Sequence, residues 1–308
     1  MNWLILSIIA LLFWSGSDLF SKIGSRPDEK TSHWRMVIAV GIVMGIHALI
    51  EIIGGVEFTP ADMITYLPAS ACYISSMVLG YVGLRYIELS LSTPICNCSG
   101  AIAGIMCFFL LGQEMNNIQI FGVVLIVIAI ISIGFIEQHD DPELREASGL
   151  KQDIKYRKSV LAFVLPLMYC FLDALGTFAD AMLLDTGRIP EDRANVAYEI
   201  TFFIMAICGY IFVRFVKKEK YSFPHPKNMH EAPKYVGALC ETAGQFAYVY
   251  AIGANAVLAA PVISAYCLLS VIWSRLLLHE KLELKHYLMI GLAITGIVIL
   301  GVAEGLEG

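Results

Sequence analysis

Apolar runs of about 20 residues follow one another along the whole chain, with short polar breaks between them. Each run is long enough to cross a hydrocarbon layer of about 30 Å as a helix. The pattern predicts ten helices, at roughly 2–24, 33–54, 62–86, 91–111, 118–136, 159–184, 195–216, 233–252, 256–278 and 285–303. Such runs leave no room for strands, and the short alternating segments of a membrane barrel are missing. The expected fold class is therefore an all-α integral membrane protein. The first run is too long for a cleavable leader and carries Asp18 and Lys22, so it reads as the first span.

The polar breaks carry a repeat. Residues 81–136 read as a helix end, a helix opening near Pro94, a break at Gly112-Gln113-Glu114 and a further apolar helix. The same order returns over residues 248–303, with Pro261 and a break at His279-Glu280-Lys281. Pro94 to Glu114 is 20 residues and Pro261 to Glu280 is 19. The longest polar link between apolar spans, 137–158, separates the copies. The expected organisation is a five-helix repeat over 1–136, a linker over 137–158 and a second five-helix repeat over 159–308. An odd number of spans per copy makes the second copy cross in the opposite sense. Inverted repeats of this kind place a site near the midplane and allow rocking between two mirror-related states.

Composition strengthens the membrane reading. The chain is 57% hydrophobic and 16% charged, with mean hydropathy +0.70, where a soluble domain averages about 25% charged residues. Lysines and arginines gather in alternate loops, among them Arg26, Lys30, Arg145, Lys151, Lys217, Lys218 and Lys285. The positive-inside rule then places those loops in the cytoplasm and both termini outside a cell membrane that the chain crosses many times. All eight cysteines fall within predicted spans, which argues for packing and against a disulfide framework, and Cys96-x-Cys98 is too short for the usual zinc spacing. No metal, cofactor or nucleic-acid partner is expected. The duplication means that a monomer suffices, and a dimer is compatible with it.

Acids inside apolar spans each need a reason, because a charge at mid-bilayer costs about 2.5–3.5 kcal/mol on insertion scales. Asp18 and Asp173 are 155 residues apart, at matching points of the first helix of each repeat. Each follows an aromatic by four positions, Trp14 and Tyr169, so each helix carries a ring and a carboxylate on one face. Gly176, Thr177 and Asp180 continue the second stripe. Glu241, Gln245 and Tyr248 form another on the eighth helix, and Glu199 stands early in the seventh. Tyr66, Tyr73, Met77 and Tyr81 share a rough face of the third helix, as do Tyr266, Ser270 and Trp273 of the ninth; Asn97 stands on the fourth, three residues after Pro94. Lys22, Arg35, Arg214 and Arg275 sit near helix ends, where long basic side chains can snorkel. The candidate solute-binding residues are Trp14, Asp18, Tyr73, Tyr81, Asn97, Tyr169, Asp173, Glu241, Tyr248 and Tyr266. Aromatic faces with carboxylates suit an organic ammonium, so the expected solute is a small cationic or zwitterionic amine. A carboxyl group that takes up and releases protons would also couple transport to a proton gradient.

The second half of each repeat resembles the EamA-type proteins of the drug/metabolite transporter superfamily. Pro94 with Gly112-Gln113-Glu114, and Pro261 with His279-Glu280, carry the resemblance. So do the glycines of the last helices: Gly122 and Gly134 in one copy, Gly291, Gly296 and Gly301 in the other. Phe13-Trp14-Ser15-Gly16-Ser17 is similar to that family's opening helix, while a Gly-Glu pair is replaced here by Gly-Gln-Glu and His-Glu. The resemblance implies ten helices and a central cavity that carries small organic solutes. It leaves a neutral-metabolite carrier, for a sugar or nucleoside, as an alternative. An intramembrane aspartyl enzyme using Asp173 is the less favoured one, since no Gly-x-Gly-Asp is present. A nucleotide-binding GxxxxGK[ST] loop is missing too, so neither an enzyme nor an ATP-driven pump is expected.

Overall fold

A computed structural model describes residues 2–24, 29, 31–86, 96, 98–139, 161–221, 223–224, 229–278 and 283–307. Among them all regular structure is helical: α1 Trp3–Gly24, α2 Ser32–Ile53, α3 Pro60–Tyr86, α4 Ser99–Leu110, α5 Asn117–His139, α6 Leu161–Asp185, α7 Glu191–Ile211, α8 Ala232–Ser264, α9 Tyr266–Leu278 and α10 Leu284–Glu307. A π-helical turn, Phe212–Val216, prolongs α7. Seven helical stretches are long and apolar enough to cross a membrane, and the apolar helices Ser99–Leu110 and Asn117–Ser132 are shorter. Pro94, Asn97, Glu280 and nearly all of the 137–158 link lie outside the described residues.

The surface is as informative as the core. Ile46, Leu49, Ile50, Ile53, Ile64, Phe109, Phe171, Phe215 and Val298 are exposed, and large apolar side chains face outwards from most helices. A soluble protein does not present such a surface, and a lipid-bathed one does. Alanines fill much of the interior, among them Ala10, Ala39, Ala69, Ala103, Ala197, Ala251 and Ala259. Small side chains let helices approach closely, which is how packing holds helices together in lipid.

The helices pair across the two halves of the chain. α1 packs on α8, α2 on α7, α3 on α6 and α5 on α10; α4 lies against α6 and α8, and α1 also meets α9. Close approaches fix the directions. Gly41 of α2 faces Phe202 and Ala206 of α7, whereas Gly209 faces Trp34 and Ile38, so α2 and α7 run antiparallel. The same holds for α5 and α10, where Gly122 meets Leu300 and Ile126 meets Gly296.

Two expectations are corrected. Pro261 does not stand in the first turn of a helix. The eighth and ninth predicted helices do meet where the pattern places their boundary, at a kink at Asn255 whose φ of −165° and ψ of 87° are non-helical, but Pro261 lies further on, inside the segment that follows the kink. The kink is capped. Asn255 Oδ1 accepts the Leu258 amide at 3.3 Å and Gln113 Oε1 accepts that of Val257 at 3.0 Å. A one-residue break at Ala265 then separates α8 from α9. Arg35 does not snorkel either. It is buried, 3.3 Å from Glu231 and 3.4 Å from Glu29, and Lys234 is 3.0 Å from both of those carboxylates. Buried carboxylates on neighbouring segments hold these cations better than the interface would.

Candidate functional site

A cavity of about 170 Å³ opens between α1, α3, α4, α6, α7, α8 and α9. Trp14, Asp18, Tyr73, Tyr81, Tyr169, Asp173, Glu241, Tyr248 and Tyr266 all line it. The structure thus brings nine of the ten sequence-nominated side chains to one space; the tenth, Asn97, lies outside the described residues.

Helical spacing explains how α1 and α6 reach the cavity. Trp14, Ser17, Asp18 and Ser21 are at i, i+3, i+4 and i+7, one face of α1, and all four are in the lining. Tyr169, Asp173 and Thr177 repeat the stripe on α6. Glycines opposite let the rings in. The Trp14 indole lies against Gly244 of α8, and Tyr169 lies against Gly80 of α3, where a methyl group would stand 3.0 Å from the ring. Any larger residue at either glycine would push the ring into the cavity.

The rings form a cage. Trp14 and Tyr248 stack with centroids 4.9 Å apart, and Tyr266 meets Trp14 edge-on at 6.1 Å. Tyr73 is edge-on to Tyr198 at 5.9 Å and to Tyr248 at 6.0 Å. The Tyr73 and Tyr248 hydroxyls are hydrogen-bonded to each other, and Tyr248 donates to Thr177 Oγ1 at 3.0 Å.

The three carboxylates of the lining meet hydroxyls. Ser17 donates to Glu241 Oε2 at 2.7 Å, and the Ser76 hydroxyl is 3.4 Å from Asp173 Oδ1. Ser99 also lies beside Asp173, and Ser270 beside Asp18, with Lys22 close enough to act on Asp18 through its charge. Among the described residues no lysine or arginine is in the cavity lining. On the donor side, Trp14 Nε1, the Tyr81 hydroxyl and Gln245 Nε2 are buried with no hydrogen-bond partner among the described residues. The cavity therefore offers acceptors with negative charge, flat π-faces and unused donors, a set that matches a small molecule with an ammonium group and a second polar end.

Other nominated acids go elsewhere. Asp180 is fully buried beside the Tyr66 hydroxyl, without the geometry of a full hydrogen bond. Glu199 faces His47 of α2, 2.9 Å from Nδ1. Trp273 donates to Ser15 Oγ at 3.0 Å and ties α9 to α1. Ser17, Ser21, Cys96, Ser99, Ser264 and Cys267 join the lining unannounced. The two α1 serines were signalled by their place on the Trp14–Asp18 face. Cys96, read only as a packing residue, gave no such sign.

A helical bundle with an apolar outer surface and a polar cavity within it is a multi-pass membrane protein. The EamA-like transporter family model matches residues 1–135 and 188–302, and the chain belongs to that family of membrane transporters for small solutes. No curated protein matches the chain. One solved crystal structure, titled only as that of a protein, is similar with a TM-score of 0.68 at 14% identity over 99% of each chain, a likeness of fold alone.

Proposed function

We propose that the protein is a secondary transporter that moves a small cationic or zwitterionic amine-like metabolite by alternating access through the central cavity. The observation that carries this reading is the lining itself: Asp18, Asp173 and Glu241 among the rings of Trp14, Tyr169, Tyr248 and Tyr266, with no lysine or arginine among the described residues of the lining. An anionic solute would be repelled there. An ammonium group gains both charge pairing and cation–π attraction, the latter worth about 0.5–2 kcal/mol per ring. The unused donors of Trp14, Tyr81 and Gln245 favour a solute whose other end accepts hydrogen bonds. The carboxylates offer sites for a coupling proton in the same space.

Alternating access needs two related halves, and several features support ten spans in two inverted repeats, 1–136 and 159–308, joined by a linker. The family model matches in two stretches, one in each half. The helix pairs are symmetric under exchange of halves: α1–α8 corresponds to α6–α3, α1–α9 to α6–α4, and α2–α7 and α5–α10 correspond to themselves. Self-paired helices running antiparallel are what an inverted relation requires. Ion pairs follow the same rule. Arg35 of α2 pairs with Glu231 just before α8, and Arg193 of α7 pairs with Asp62 at the start of α3. The excess of lysine and arginine in alternate loops favours termini outside the cell membrane.

Thermal-shift measurements on the purified protein with amines, amino acids, sugars and nucleosides test the solute class. Stabilisation by amines or amino acids alone is expected. Stabilisation by a sugar or nucleoside alone would replace this reading with the neutral-metabolite carrier.

A further inference from the structure

A second polar cluster lies between α2 and α7, away from the cavity lining. His47 and Glu51 are one turn apart on α2, near its C-terminal end. Asn195 and Glu199 are one turn apart on α7, near its N-terminal end. Antiparallel packing brings the two turns face to face. His47 Nδ1 is 2.9 and 3.0 Å from the Glu199 oxygens and 3.6 Å from Glu51 Oε2. One ligand atom from each of the three residues lies within 4.8 Å of the others. Glu199 is fully buried, the Glu51 side chain is 11% exposed and His47 is half-buried.

We propose that His47, Glu51, Glu199 and Asn195 form a site for one first-row divalent transition-metal ion, of the Zn²⁺ type, joining the first half of the chain to the second. Three observations support it. Charge comes first: two carboxylates share one imidazole, and the described residues supply no lysine or arginine to either, whereas Arg35 and Arg193 each pair with carboxylates of their own. Spacing is the second. Ligands about 2.0–2.2 Å from a tetrahedral ion stand roughly 3.4 Å apart, and the imidazole-to-carboxylate distances bracket that value.

The third is Asn195. It is completely buried and donates through Nδ2 to Glu51 Oε2 at 2.8 Å, while its Oδ1 meets no hydrogen-bond partner among the described residues. Turning the amide over exchanges the two atoms. It would present the unpartnered oxygen to the carboxylates, an arrangement that is favourable only with a cation between them. One imidazole nitrogen with carboxylate and amide oxygens is a donor set for zinc, manganese or iron, and too nitrogen-bearing for calcium or magnesium. Asp192 lies close enough to act on Glu51 electrostatically, so the approach is acidic. This proposal is independent of which solute the central cavity binds.

The test uses the full chain, purified in detergent and stripped with chelator. With one equivalent of Zn²⁺, X-ray absorption is expected to give nitrogen and oxygen neighbours only, with the scattering signature of a single imidazole, and the Tm is expected to rise. A shell containing sulfur, from any of the eight cysteines, or containing several imidazoles would overturn the site. Competition with a fluorescent chelator should show Glu199→Gln and His47→Gln each weakening Zn²⁺ at least tenfold. Glu57→Gln, on the exposed loop after α2, should leave the affinity unchanged. Binding by both cluster variants as tight as wild type, or no saturable one-to-one binding by wild type, would refute the proposal. The absorption measurement on the unaltered protein decides the matter if the variants do not fold.

Discussion

A carboxylate inside a membrane span is costly unless something compensates it. At Asp18, Asp173 and Glu241 the compensation comes mainly from hydroxyls, with Ser17 2.7 Å from Glu241 and Ser76 3.4 Å from Asp173. Hydroxyls can tolerate a charge without using it up, and so they leave it available to a solute. Replacing Asp173 with Asn should therefore weaken binding of a cationic solute at least tenfold while the protein stays folded, as read by thermal shift with and without the solute. Asp18→Asn should do the same by the correspondence of α1 and α6. Equal binding by Asp173→Asn and wild type would remove Asp173 from the site. Gly244→Ala is expected to impair binding for a steric reason, because the added methyl would overlap the Trp14 indole; overpacking of this kind costs about 1–3 kcal/mol.

These residues were legible in the sequence because a four-residue interval on a long apolar helix has one geometric meaning. An aromatic and an acid at that interval recur 155 residues later, and both pairs line the one cavity. Glu199 was harder to read, since its partner His47 lies 152 residues away in the chain and no local pattern joins them.

At the scale of the element, the kink in α8 falls where periodicity ends one helix and begins the next. The sequence pattern placed a break between two helices near residues 253–255, and the backbone does depart from helix at Asn255. Side chains satisfy the amides that the kink frees, so the second segment starts directly at it. One of those side chains is Gln113, from the polar break after α4, where Gly112 turns with φ 68°. The glutamine that replaces part of a Gly-Glu pair thus caps a helix contributed by the other half of the chain. No local reading of residues 112–114 could give that. Gln113→Ala and Asn255→Ala should each lower stability by about 1 kcal/mol, the usual worth of a helix N-cap, measured as a fall in Tm. An unchanged Tm in both variants would show that the kink is held by packing alone. Nearby, a methyl group at Gly100 would overlap the Ser264 side chain and the Ala260 carbonyl. Gly100→Ala should therefore force α4 off α8 and destabilise more than either cap variant.

For the molecule as a whole, hydrophobicity alone announced a helical membrane protein, because so few polar residues cannot cover that much apolar helix in water. Which helices would touch was not readable from runs of leucine and isoleucine. Pairing in lipid is set by small residues and polar contacts, and these become specific only when two helices are placed side by side. The pairing found here, symmetric under exchange of the halves, underlies the proposed inverted duplication. If that account is right, the α1–α2 and α6–α7 connections, equivalent by repeat, face opposite sides of the membrane. Cysteines placed at Glu29 and Thr186 in a cysteine-free background should react with an impermeant reagent from opposite sides. Reaction from the same side would contradict the inverted arrangement.

The claim at the centre of this account is that a cavity lined by carboxylates and aromatic rings carries an amine-bearing solute across the membrane without ATP. The most direct test is flux of radiolabelled amines and amino acids into proteoliposomes that hold the purified protein and no nucleotide. The account predicts saturable uptake of at least one such solute by the wild type, and its loss in Asp173→Asn. Uptake of neutral sugars or nucleosides with no uptake of any amine or amino acid, or amine uptake unaffected by Asp173→Asn, would contradict it.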